Sequence, residues 1–170
     1  MSHLHTGRRR RLGGLQALFL VPFVVVGTLT GCGDPPSTLV QIEANDAMMA
    51  EAIVQGKATL GDFWAVHANP TKGESDFAVK VAIAEGDRKE YFWLVDPKRQ
   101  GKRVSAAIGN EPEIVKHVTL GQVIEFDESE IVDWMFMREK KMHGNHTARA
   151  LLKRMSPEQA EAVQRLLAED

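Results

Sequence analysis

From residue 45 onward the apolar positions change period twice, and each change predicts a different element. After Asn45-Asp46, Met48, Met49, Ala52, Ile53 and Gly56 recur at spacings of three and four. That pattern predicts a helix with one apolar stripe, opened by a capping side chain and running to about Lys57. Thr59 is placed to cap a second short helix carrying Leu60, Phe63 and Trp64 and ended by Asn69-Pro70, with His67 near its end facing solvent. After residues 71–75 the period falls to two. Phe77, Val79, Val81 and Ile83 alternate with Ala78, Lys80 and Ala82, the mark of a half-buried strand, and Glu85-Gly86-Asp87 makes the turn. Residues 91–95 are apolar on both faces, which predicts a central strand covered on one side by a helix. Asp96-Pro97 is expected to stop it, leaving 98–102 as a basic, glycine-containing loop. Residues 103–108 and 122–126 read as strands separated by Gly109-Asn110-Glu111-Pro112 and Leu120-Gly121, and 131–138 as another, followed by a loop carrying His143-Gly144-Asn145-His146. Ser156-Pro157-Glu158-Gln159 is a capping box that opens a last helix, with Ala160, Val163 and Leu167 as its inner face. Short turns between neighbouring strands make the sheet antiparallel and curled. The expected class is α+β: an N-terminal helix, a curled antiparallel sheet of about five strands, and C-terminal helices.

The first 31 residues follow different rules. Four arginines at 8–11 precede an apolar run, 15–29, broken only by Gln16, Pro22, Gly27 and Thr28, and small residues close it. Charge, then grease, then small side chains is the order of a secretory signal. The run is shorter than the roughly 20 residues needed to cross a bilayer and contains a proline, so a retained anchor helix is not expected. Gly13 and Gly14 stand where a twin-arginine signal wants bulky apolar residues, which favours general secretion. With Leu29-Thr30-Gly31-Cys32 at its end, the segment resembles a bacterial lipoprotein signal peptide with its lipobox. The resemblance implies cleavage between Gly31 and Cys32, a diacylglyceryl thioether on Cys32, and acylation of the new amino terminus with a palmitate-like chain. Several acyl chains hold a protein to a membrane where one does not. Residues 32–44, with Gly33-Asp34-Pro35-Pro36-Ser37-Thr38, are then an extended tether, and 45–170 a single domain. The expected location is the cell envelope, lipid-anchored and facing the periplasm. Gly33 stands where enteric bacteria place the aspartate that retains lipoproteins at the inner membrane, which favours the outer membrane.

Setting aside residues 1–31, which hold four arginines and no acid, leaves 17 Lys+Arg against 23 Asp+Glu. An acidic surface is a poor partner for nucleic acid. Cys32 is the only cysteine, so no disulfide forms within the chain. Met48 and Met49 lack a nearby cysteine or histidine and read as core packing rather than a soft-metal site.

Four pieces of the chain, in this order, carry a further resemblance: Phe77-Ala78-Val79-Lys80-Val81 with Tyr91-Phe92-Trp93; Asn110-Glu111-Pro112; Asp133-Trp134-Met135; and Gly144-Asn145-His146-Thr147-Ala148-Arg149. Together they resemble an uncharacterised bacterial family, the domain of unknown function 2314, over roughly residues 45 to 155. Members carry a second glycine and an aromatic where this chain has Asn145 and His146. The resemblance implies the domain boundary and supplies no activity.

The candidate chemistry is a polar cluster of Asp133, His143, His146 and Arg149 with Trp134 beside it. Histidine near a carboxylate acts as a general base or binds metal. His143 and His146, however, are three apart across a glycine, and no HExxH or paired-cysteine motif supports zinc. The structural alternative pairs Asp133 with Arg149, packs Trp134 in the core and leaves both histidines solvated. No GxSxG, P-loop or dinucleotide fingerprint is present, and Ser105, Ser129 and Ser156 stand in no recognisable catalytic setting. No catalytic residue, metal ligand or cofactor is therefore assigned. The favoured function is a lipid-tethered, non-catalytic domain that binds another envelope protein. The alternatives are an immunity lipoprotein that neutralises a periplasmic toxin, and an enzyme or metal-binding protein using the cluster around His143 and His146.

Overall fold

Capping and burial decide where the first helix lies. In the computed structural model, which describes residues 46–169, Asp46 accepts the backbone N–H groups of Met48 and Met49, and α1 runs Ala47–Ala58 with Met49, Ala52 and Gly56 buried. Signal, lipobox and tether, with Gly31 and Cys32, lie outside the described residues. Helix α2, Leu60–Ala68, follows at once and buries Leu60, Phe63 and Trp64. The expected Thr59 side-chain cap does not form. Its hydroxyl turns back to donate to the Gln55 carbonyl and receives the indole N–H of Trp134.

Six antiparallel strands follow: β1 Ser75–Glu85, β2 Arg88–Gln100, β3 Arg103–Ile108, β4 Val123–Asp127, β5 Ile131–Arg138 and β6 Lys141–Gly144. Their order across the open sheet is β4-β3-β2-β1-β5-β6. Helices α3, His146–Leu151, and α4, Pro157–Leu166, complete the chain, and the capping box between Ser156 and Gln159 is present as expected. The class is α+β.

Two expectations about strands are corrected. Asp96-Pro97 does not end β2. Asp96 takes a positive φ of 53°, and β2 spends one more residue than β3 between Val95 and Lys98, so the proline sits buried in a bulge and pairing resumes to Gln100. The supposed loop before His146 is a sixth strand, formed because 141–144 zips back onto β5.

One sheet face holds the core: Val79 and Val81 of β1, Phe92 and Leu94 of β2, Val104, Ala106 and Ile108 of β3, and Trp134 and Phe136 of β5 gather under Phe63 and Trp64 of α2. His67 is not solvent-facing as expected. Its ring packs against Phe63, Trp64 and Phe77, and burial lowers its pKa against a raising contact with the Pro97 backbone. The opposite, outer face is built from Ala78, Lys80 and Ala82 of β1, Tyr91, Trp93 and Val95 of β2, Ser105 and Ala107 of β3, and Asp133 and Met135 of β5. It is covered unevenly. Ala78, Asp133 and Met135 are buried, whereas Tyr91 is 38% and Val123 66% exposed. Residues 91–95 thus alternate, outer face then core face, in an inner strand covered on the core side by α2, as expected.

Candidate functional site

Where β5 passes Lys80, it carries one more residue than β1: Lys80 pairs with Asp133 and Val81 with Ile131, leaving Val132 as the extra residue. The bulge is followed by the one acidic side chain of the strand, in a run that is otherwise apolar up to Arg138. Asp133 is fully buried, with 0% exposure, and its carboxylate is saturated by local donors. Oδ1 accepts the backbone N–H of Trp134 at 2.9 Å and of His146 at 3.2 Å. Oδ2 accepts the backbone N–H of Thr147 at 2.8 Å and its hydroxyl at 2.6 Å. Asp133 therefore caps α3 from a distant strand, a task Asn145 at the N-cap position leaves undone. α1 crosses close by, and a Cβ on Gly56 would stand 2.7 Å from the Val132 carbonyl oxygen.

The hydroxyl of Thr147 has a second partner. Lys80 Nζ donates to it at 2.6 Å, so Lys80, Thr147 and Asp133 form a line in which the hydroxyl separates the two charges. The ammonium also lies over the Trp93 ring, 4.4 Å from its centroid. Burial pushes the Lys80 pKa down from 10.5 to about 8, against the attraction of Asp133, which raises it. Trp93 is itself held at the backbone. Its N–H donates to Asn110 Oδ1 at 2.9 Å, and its carbonyl accepts the Gly109 N–H at 2.7 Å, an approach that a Cβ at 109 would block.

The residues singled out from sequence divide. Asp133, Trp134, His146 and Arg149 do lie together, but through backbone and packing contacts. Trp134 donates its indole N–H to the Gly56 carbonyl and meets His146 edge-on, with centroids 5.6 Å apart. His146 reaches Asp133 by its backbone, while its Nε2 is 3.1 Å from the Thr59 hydroxyl. His143 stacks on Phe136, centroids 5.0 Å apart, and Phe136 in turn stacks on Trp134. Arg149 donates to the carbonyls of Gly144 and Ala168. Among the described residues no three His, Cys, Asp or Glu side chains are grouped to hold a metal. Lys80, Thr147 and Trp93 were missed as site residues. The available signal was Lys80 itself, a lysine set between alanines on the alternating face of a strand.

A family model described as an uncharacterized protein conserved in bacteria, DUF2314, matches residues 46–166. The chain belongs to the DUF2314 family. It is also similar to the uncharacterized protein YegJ of Escherichia coli (strain K12), 28% identical over 149 residues, which cover 88% of this chain and 96% of that protein. A span of that length does not fit within the family domain, so the likeness extends back through Cys32 into the apolar run before it. No solved structure matches.

The four sequence pieces that carry the DUF2314 resemblance meet at this one place. Lys80 and Trp93 come from the first, Asn110 from the second, Asp133 and Trp134 from the third, His146 and Thr147 from the fourth. The two departures from the family pattern also fit their places. Asn145 has a φ of 53°, a left-handed conformation that asparagine shares with glycine, and the His146 ring occupies an aromatic's position against Trp134.

Proposed function

We propose that this DUF2314 protein is an envelope lipoprotein, anchored through Cys32 and facing the periplasm, whose domain binds another protein without catalysing a reaction. The observation that carries the binding role is the half-open outer sheet face. α3 reaches over β5 and, through Thr147, over Lys80, but Tyr91 and Val123 remain exposed beside half-buried Trp93 and Val95. Large exposed apolar side chains grouped on one face mark interaction surfaces. Support for the anchor lies in the lipobox-like Leu29-Thr30-Gly31-Cys32 and in where the domain begins. With α1 capped at Asp46, residues 32–45 span at most about 50 Å when fully extended. That reach lets the face meet a partner at the membrane surface. No helix among the described residues is long and apolar enough to cross a membrane.

Two measurements test the reading. A clickable palmitate analogue should label the wild-type protein and not Cys32→Ser, which should also leave the membrane fraction; an unlabelled wild type refutes the anchor. A photo-crosslinker at Tyr91 or Val123 should give one dominant adduct in the envelope, and the same group at exposed Asp62 on α2 should give none. Equal adducts from all three positions, or no adduct, refute the docking face.

A further inference from the structure

We propose that the docked partner presents a carboxylate next to an aromatic or apolar side chain, and that Lys80 receives the carboxylate while the Trp93 and Tyr91 rings receive its neighbour. The inference rests on the protein-binding reading and names the chemistry that the outer face selects.

An ammonium group has three donors and no acceptor. At Lys80 one donor goes to the Thr147 hydroxyl, and the Trp93 ring takes up the cation's side. Both direct partners are neutral. Asp133, the carboxylate opposite in register, is separated from Lys80 by the Thr147 hydroxyl and already receives three backbone N–H groups and that hydroxyl. A half-buried cation without a carboxylate in contact is incompletely compensated, and an arriving carboxylate completes it.

The surroundings decide what travels with that charge. On the β2 side of Lys80 the cross-strand neighbours are Trp93, then Tyr91 opposite Ala82, and Val95 beside Ala107 and Val123. Tyr91 and Trp93 follow one another on this face of β2, with the small side chain of Ala82 opposite Tyr91, so one apolar or aromatic group can lie against both rings. The remaining charges on this half of the face are Lys89 and Lys98 on β2, Arg103 on β3, which pairs with Glu125 at 3.6 Å, and Asp127, opposite Arg103 in register. On this half of the face Lys80, Lys89, Lys98 and Arg103 stand against Glu125 and Asp127, an excess of cations in a chain whose formal net charge is −2, which favours an arriving anion.

The test uses the full chain in a non-ionic detergent and follows the Lys80 Nζ and Trp93 indole N–H signals by NMR. The probes are the peptide acetyl-Phe-Glu-Phe-amide, its Gln counterpart, and free benzoate. The Glu peptide should shift both signals saturably, with at least about tenfold tighter binding than the Gln peptide. Lys80→Met should abolish that difference, and Tyr91→Ala should weaken the Glu peptide severalfold while leaving the Lys80 signal of the unbound protein in place. Equal binding of the two peptides, no binding, or benzoate binding without peptide binding overturns the proposal. If Lys80→Met does not fold, the Glu-against-Gln contrast and Tyr91→Ala decide. Failure here with a specific adduct at Tyr91 would refute the carboxylate and leave docking intact; loss of the adduct with peptide binding preserved would do the reverse.

Discussion

Replacing Lys80 with methionine should make the domain more stable at neutral pH. The Lys80 pKa falls from 10.5 to about 8 because burial disfavours the charged form. At about 1.4 kcal/mol per unit, the folded protein holds the ammonium about 3 kcal/mol less favourably than the unfolded chain does. Methionine retains the apolar stem and sheds that cost. It forfeits the hydrogen bond to Thr147 and the contact with Trp93, each worth about 1 kcal/mol. Thr147 keeps its bond to Asp133, so no hydroxyl is orphaned. The balance is a gain of about 1 kcal/mol at pH 7. The sign of the pH dependence follows from the lowered pKa. Below about 8 both folded and unfolded states are protonated at this site and the full cost is present. Between about 8 and 10.5 the folded state gives up its proton while the unfolded chain keeps it, so wild-type stability climbs with pH. The variant lacks that climb, and its advantage should vanish and reverse over this window. Urea denaturation followed by far-UV circular dichroism, at matched pH values from 7 to above 10, reads the difference; titrations common to both proteins cancel. A difference that stays flat with pH, or a variant less stable than wild type by more than about 2 kcal/mol at pH 7, refutes the reasoning.

Asp133→Asn should cost about 2–4 kcal/mol, because an amide turns N–H groups toward donors that the carboxylate accepted, and thermal melting reads the loss. The same substitution removes the attraction that raises the Lys80 pKa, so the Nζ titration should move further down. Glu90→Gln tests the loop after β3. Burial alone would raise the Glu90 pKa, but the backbone N–H groups of Glu113, Ile114 and Val115 lower it overall. The variant should cost about 1–2 kcal/mol and speed amide exchange at 113–115 ahead of global unfolding. Because the folded pKa is lowered, the carboxylate's contribution is complete above its ordinary 4.5 and is lost as pH falls through the folded value, so wild type and variant should converge in acid.

What the sequence made legible was local. The Asp46 cap, the alternation along β1 and the limits of β5 depend on neighbours a few residues away, and each stands where expected. The errors arise where distant chain decides. Pro97 looked like a stop because nothing in its own neighbourhood shows that β3 resumes pairing beyond the bulge. Residues 141–144 are too short for a periodic signal and become a strand only against β5. His67 looked exposed until β1 brought Phe77 across it.

Lys80 belongs with those errors, and its case carries the functional argument. An alternating lysine normally points to water, and whether this one does depends on α3, which returns 67 residues later to set Thr147 over it. Asp133 has ample structural reason to exist, since it caps α3. Lys80 has none of comparable weight: Asp133 is satisfied without it, and its own burial opposes its charge. A lysine whose charge is opposed by its own burial, beside exposed Tyr91, fits the proposed role in binding.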